Sequence, residues 1–142
     1  MMKSIRILVI VMRIAFGGLF IYAGVQKFIP KERPKTEASA EVPDNVKKIR
    51  SYIGGMKQTG YFWPMLGVVE ILGGLLIATQ LYSLLGAFIL LPVTLNIFLF
   101  HIFLTPDDVG ENALTALYLM ANISLIAYHY QPLKTVFLKP KV

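Results

Sequence analysis

The chain has 142 residues, the length of one domain, with 56% hydrophobic and only 15% charged side chains and a mean hydropathy of +0.63. A water-soluble globule of that size with so few charges would expose apolar surface and aggregate, so the composition points to an integral membrane protein. Cysteine is absent, which excludes disulfides, thiolate metal sites and dithiol redox chemistry by this chain alone. The net charge of +6 gathers at the N-terminus, between Lys27 and Lys57 and in the tail, a pattern suited to anionic lipid headgroups and not to nucleic acid.

Four apolar runs have the length of a membrane-crossing helix: Ile5 to Phe28, Tyr61 to Thr79, Tyr82 to Leu104 and Asn112 to Tyr128. The first could be a signal peptide. However, Arg13 interrupts it and Ala23-Gly24-Val25 runs into a basic segment without a clean cleavage site, so an uncleaved span is expected. The loop from 29 to 60 follows. Its first part, PKERPKTEASAEVP, is rich in proline and charge and reads as mobile. Its second part, DNVKKIRSYIGGMKQTG, reads as a short amphipathic helix lying on the headgroups, capped by Asp44 or Asn45. There, Val46, Ile49, Ile53 and Met56 recur at helical spacing, although Gly54-Gly55 weakens the helix.

Gln80-Leu81 is a tight turn that makes spans two and three an antiparallel pair, and Pro92 should bend span three. The acidic turn Thr105 to Glu111 leads into span four, its carboxylates complementing the helix dipole. The fold expected is therefore all-α: a single-domain integral membrane four-helix bundle with an amphipathic interfacial helix in its long first loop.

Ionisable groups inside spans are costly and normally face a bundle interior. Arg13, Gly17, Phe20, Gly24 and Lys27 share one stripe of span one, while Gly67, Glu70 and Gly74 share one of span two. Small residues allow close helix approach, so both charged stripes should face other helices. With a rise of about 1.5 Å per residue, Glu70, Asn96 and Asn122 fall about 12–15 Å from the long-loop side. Arg13 falls about 8 Å deeper, His101 and Tyr118 at about 5–9 Å, and Lys27 near that surface.

A polar layer of Glu70, Asn96 and Asn122 with Arg13 as counter-charge is thus expected. Two readings of the Arg13–Glu70 pair stay open: an ion pair that fixes helix register, or a site for a polar headgroup, a quinone carbonyl or a proton. His101 is as readily a residue of a helix seam or of the interface. His129 reads as interfacial, and Thr115 as a hydroxyl bonded to its own helix. No His, Asp or Glu group has metal-ligand spacing with enough partners.

The segments RIAFGGLFIYAGVQKF, KQTGYFWPMLGVVEILGGLLIATQ and LLPVTLNIFLFHIFL, in that order, resemble the DoxX family of small four-helix membrane proteins. The resemblance covers most of the chain, with residues 31 to 45 and the tail least matched, and Arg13, Gly24, Lys27, Glu70 and Gly73-Gly74 match the family's recurrent polar pattern. It implies a multi-pass protein of a bacterial cytoplasmic membrane and an association with membrane oxidoreductases, as in the DoxD proteins of thiosulfate:quinone oxidoreductases, but no catalytic assignment. The fold it implies is also similar to that of quinone-linked membrane thiol oxidases, whose activity this chain cannot inherit without cysteine.

Three functions compete. The first is a non-catalytic membrane subunit or a module binding a lipid or quinone; the second, a quinone-linked oxidoreductase subunit drawing electrons from a partner. The third, with less support, is a small proton-coupled transporter using Glu70. No intrinsic cofactor is expected, with quinone the candidate. The expected partners are the bilayer and a membrane or peripheral oxidoreductase, with self-assembly left open. Seven Lys/Arg follow Phe28 in the long loop against five in the two tails, which assigns that loop to the cytoplasm by simple count. A reporter fused to the C-terminus is then expected to read on the opposite face of the membrane.

Overall fold

The computed structural model describes residues 2–30, 42–129, 131, 133 and 134. Five helices follow in order: α1 (Met2–Gln26), α2 (Asp44–Gln58), α3 (Phe62–Ala78), α4 (Ser83–Leu104) and α5 (Val109–Ala127). Helices α1, α4 and α5 are each long and apolar enough to cross a bilayer. The 17 residues of α3 extend about 25 Å, and α3 turns 88° from α2 across a short break. Ile7, Leu8, Leu117 and Met120 are each more than half exposed, an outer surface that only lipid makes tolerable.

The helix ends differ from the expected ones by a few residues. Helix α5 starts at Val109, inside the expected acidic turn, because the Asp108 carboxylate caps it by accepting from the Glu111 amide at 3.0 Å. Helix α2 is not capped by Asp44 or Asn45. Pro43 holds the cap position, Asp44 is the first helical residue, and Asn45 accepts only from the amide next to it. Gly54-Gly55 lies inside α2 and does not end it. Of the proline-rich stretch before it, residues 31 to 41 lie outside the described residues.

Packing runs α1 on α3, α3 on α4 and α4 on α5, with a smaller α1–α5 contact. Phe16, Phe20, Ile77, Ala87, Leu90, Val93 and Leu125 form the shared core. The α1–α3 contact is backbone against backbone at two places. A Cβ on Gly24 would lie 2.6 Å from the Gly67 carbonyl, and one on Gly17 would lie 2.6 Å from the Gly74 carbonyl. On each helix the two glycines are seven residues apart, or two turns, so the antiparallel register is continuous. It sets Gly17 beside Ala78, the last residue of α3, and sends the first turns of α1 beyond the end of α3. An adjacent face of α3 meets α4 as closely, since a Cβ on Gly86 would lie 2.7 Å from the Gly73 carbonyl.

Gly74→Leu is expected to destabilise the protein by about 1–3 kcal/mol through overpacking against the α1 backbone. Gly18→Ala, whose new methyl would meet nothing within 4 Å, should stay within about 0.5 kcal/mol of wild type. Thermal melts in detergent would separate the two.

Candidate functional site

The Gly24–Gly67 approach places the end of α1 against the first half of α3. Lys27, three residues past Gly24, and Glu70, three past Gly67, reach towards each other along the two helices, and their Nζ and Oε2 meet at 2.5 Å. The side chain of Glu70 is 2% exposed and that of Lys27 is 13% exposed. The Lys27 ammonium also lies 5.3 Å from the ring centroid of Trp63, two turns before Glu70 on α3. From the end of α2, Lys57 places its ammonium 4.8 Å from that same centroid. Beneath them is a partly open cavity of about 700 Å³, lined by Leu19, Phe20, Ala23, Gln26 and Lys27 on α1 and its end, and by Lys57, Trp63, Ile97 and Tyr118 on the other helices.

The expected Arg13–Glu70 pair does not form. Gly17 lies between Gly74 and Ala78, so Arg13, one turn earlier on α1, is at or beyond the end of α3, more than eight residues or about 12 Å along from Glu70. Lys27 is offset from Glu70 by much less, because its Cβ lies 3.2 Å from where a Cβ on Gly67 would be, three residues or about 4.5 Å along α3 from Glu70, and side-chain direction adds to that difference between the two cations. Side chains lean towards the N-terminus of their own helix. In this antiparallel pair Glu70 leans towards Lys27, Lys27 leans towards Glu70, and Arg13 leans away.

Arg13 instead donates through Nη1 to Gln80 Oε1 at 3.0 Å, places Nη2 3.4 Å from His129 Nε2, and stacks 5.5 Å from the Tyr128 ring centroid. Its Nε is buried without a hydrogen-bond partner among the described residues. Gln80 ends α3 in the left-handed region at φ 64°, where its amide nitrogen also donates to the last carbonyls of α3.

The mid-membrane layer of Glu70, Asn96 and Asn122 is also not assembled. Asn96 is exposed on α4 and accepts from the Tyr52 hydroxyl of α2 at 3.0 Å. Asn122 is fully buried and works on α4. With its amide turned so that both ends are satisfied, it donates to the Ala87 carbonyl at 3.0 Å and accepts from Thr94 Oγ1 at 3.0 Å and the Leu91 amide at 3.1 Å. It thus holds α5 to α4 on both sides of Pro92. His101 bonds its own helix at Ile97 O, 2.9 Å away, with Nε2 3.9 Å from the Glu111 carboxylate, so it sits at the α4–α5 turn and away from the cavity. Tyr118 does reach the cavity. His129, expected at the interface, contacts Arg13, while Thr115 bonds the backbone of its own helix at Glu111 O.

Sequence reasoning missed Trp63, Lys57 and Gln80 as partners of these charges. A signal for the first existed: Trp63 is the chain's sole tryptophan and opens an apolar run beside Pro64, where aromatic side chains mark the membrane interface. Gln80 carried no comparable mark, because its role depends on where α1 crosses the turn.

A protein-family model described as DoxX matches residues 8–102, well over half of the chain. No curated protein and no solved structure gives a match.

Glu70→Leu is expected to cost about 3–5 kcal/mol, because it leaves the Lys27 charge without its buried partner. Adding Lys27→Met should recover a large part of that loss, whereas adding Arg13→Met should not. Melting temperatures of the two double-mutant cycles give the coupling energies, with more than about 0.5 kcal/mol expected for 27 with 70 and none resolved for 13 with 70.

Proposed function

We infer that this chain, which belongs to the DoxX family, is a multi-pass membrane protein that acts as a non-catalytic binding module for a lipid-like small molecule. The observation that carries this reading is the cavity between α1 and the other helices. Its volume of about 700 Å³ lies within the range of about 300–1,000 Å³ typical of small-molecule sites. Its walls are mainly aromatic and aliphatic, and its few polar side chains, Tyr22, Gln26, Lys27, Lys57 and Tyr118, are of the kind that orients a ligand's polar end.

In this reading the four apolar helices form a bundle in a bacterial cytoplasmic membrane, and α2 lies at the headgroup level. The 88° turn between α2 and α3 supports that placement, as does the half-buried stripe of Val46, Ile49, Ile53 and Met56 on α2. The Lys27–Glu70 pair holds α1 at the cavity rim, and the Arg13–Gln80–His129 cluster closes α1 onto the ends of α3 and α5. These two groups divide the work that a single buried ion pair was expected to do.

One observation favours a second reading, a quinone-linked subunit of a membrane oxidoreductase complex. Tyr118 brings a phenol to the cavity wall, where it could donate to a quinone carbonyl, with electrons supplied by a partner protein.

Protein purified in mild detergent is expected to carry a recurring lipid or quinone detectable by native mass spectrometry. Ala23→Phe, which fills the cavity from its α1 wall, should lose it. Wild-type protein that is always empty would remove the support for a binding module.

A further inference from the structure

Resting on the binding-module reading, we propose that the cavity selects an anionic amphiphile, whose negative headgroup sits between Lys27 and Lys57 over the Trp63 ring and whose chain enters the apolar interior. The two ammonium groups lie 5.3 and 4.8 Å from one ring centroid, so they are at most about 10 Å apart. An aromatic face attracts a cation but does not neutralise it. Among the described residues the one carboxylate bonded to this pair is Glu70, which bonds Lys27 and lies behind the cavity wall. The charges lining the cavity are Lys27 and Lys57, so among the described residues, after Glu70 is counted, one positive charge remains uncompensated at the rim.

The polarity of the cavity runs in the order an amphiphile has in a bilayer. The cationic rim is built from the end of α1, the end of α2 and the start of α3, where the helices meet the membrane surface. Leu19, Phe20 and Ile97 lie further along, towards the core. A phosphate or carboxylate headgroup would sit where the excess charge is, and its hydrocarbon would replace lipid or void against these side chains. A neutral quinone could fill the same apolar space, but it would leave the Lys57 charge without a partner. An uncompensated lysine near an anionic headgroup supplies about a fivefold preference.

Trp63, the sole tryptophan, is a built-in reporter of the rim. The full-length protein in neutral detergent is titrated with phosphatidylglycerol, phosphatidylcholine or a free fatty acid, each brominated on its chain near the headgroup, and quenching of Trp63 fluorescence is read. The anionic phosphatidylglycerol and fatty acid should quench at about fivefold lower mole fraction than the zwitterionic phosphatidylcholine. The ratio between the two anionic probes then reports whether phosphate or carboxylate is the better headgroup. Lys57→Gln, a change at an exposed position of α2, should abolish the preference for the anionic probes, and Ala23→Phe should weaken all three.

Equal quenching by phosphatidylglycerol and phosphatidylcholine, both weakened by Ala23→Phe, overturns the anionic selectivity while leaving the binding module standing. Quenching by every probe that ignores Ala23→Phe means contact with surrounding lipid only, and removes both. Inorganic phosphate that displaces brominated phosphatidylglycerol at matching concentration would show that the chain is not recognised, and would also overturn the proposal.

Discussion

The close approach of α1 and α3 through two glycine pairs fixes which charges can meet inside this protein. Without side chains at Gly17, Gly24, Gly67 and Gly74, the two backbones come near enough that each glycine faces a carbonyl of the other helix. In lipid, association gains little from the hydrophobic effect, so such packing contacts and the polar bonds beside them carry much of the specificity. Because the pairs are two turns apart on both helices, they set one register and exclude a slip by a residue or a turn. Glu70 and Lys27 each follow one of these glycines by three residues and are brought together by it.

The same register keeps Arg13 apart from Glu70 and delivers it to the turn after α3. There it meets Gln80, a residue held in the left-handed region, and His129 and Tyr128 beyond α5. Buried charge is therefore handled in two different ways. At one end a cation and an anion compensate each other. At the other, a guanidinium is held by the Gln80 side-chain carbonyl, the His129 ring and an aromatic face, an arrangement without a carboxylate among the described residues that suits its delocalised charge. Between the two, Asn122 ties α5 to α4 through the backbone beside Pro92, where a missing amide makes an outside hydrogen-bonding group most useful.

These contacts leave one seam less filled. Helices α1 and α5 are joined by Arg13 and His129 at one end, while towards Lys27 their facing side chains line the cavity with Trp63 and Ile97. Helix α2 adds Lys57 to that rim and is itself held to α4 by the Tyr52–Asn96 hydrogen bond and by the ring of Phe100. The polar residue that looked like a member of an internal layer thus fastens the surface helix that completes the site.

Several features were determined by the sequence alone: the apolar helices, their approximate ends, the glycine-lined inward faces and the inward position of Glu70. Each depends on composition or on the 3.6-residue period of one helix, which local sequence carries. The α5 start moved by three residues because a single side chain, Asp108, could cap earlier than the apolar pattern suggested. The partners of the charges were decided only by the tertiary structure, because they depend on the register of two helices and on the lean of side chains along opposite directions. Estimating depth by counting residues gave Arg13 and Glu70 plausible levels, but it could not supply the offset fixed where Gly17 meets Gly74. Nor could it place Asn96, whose partner Tyr52 lies 44 positions away on a helix that turns sharply from α3 before meeting α4.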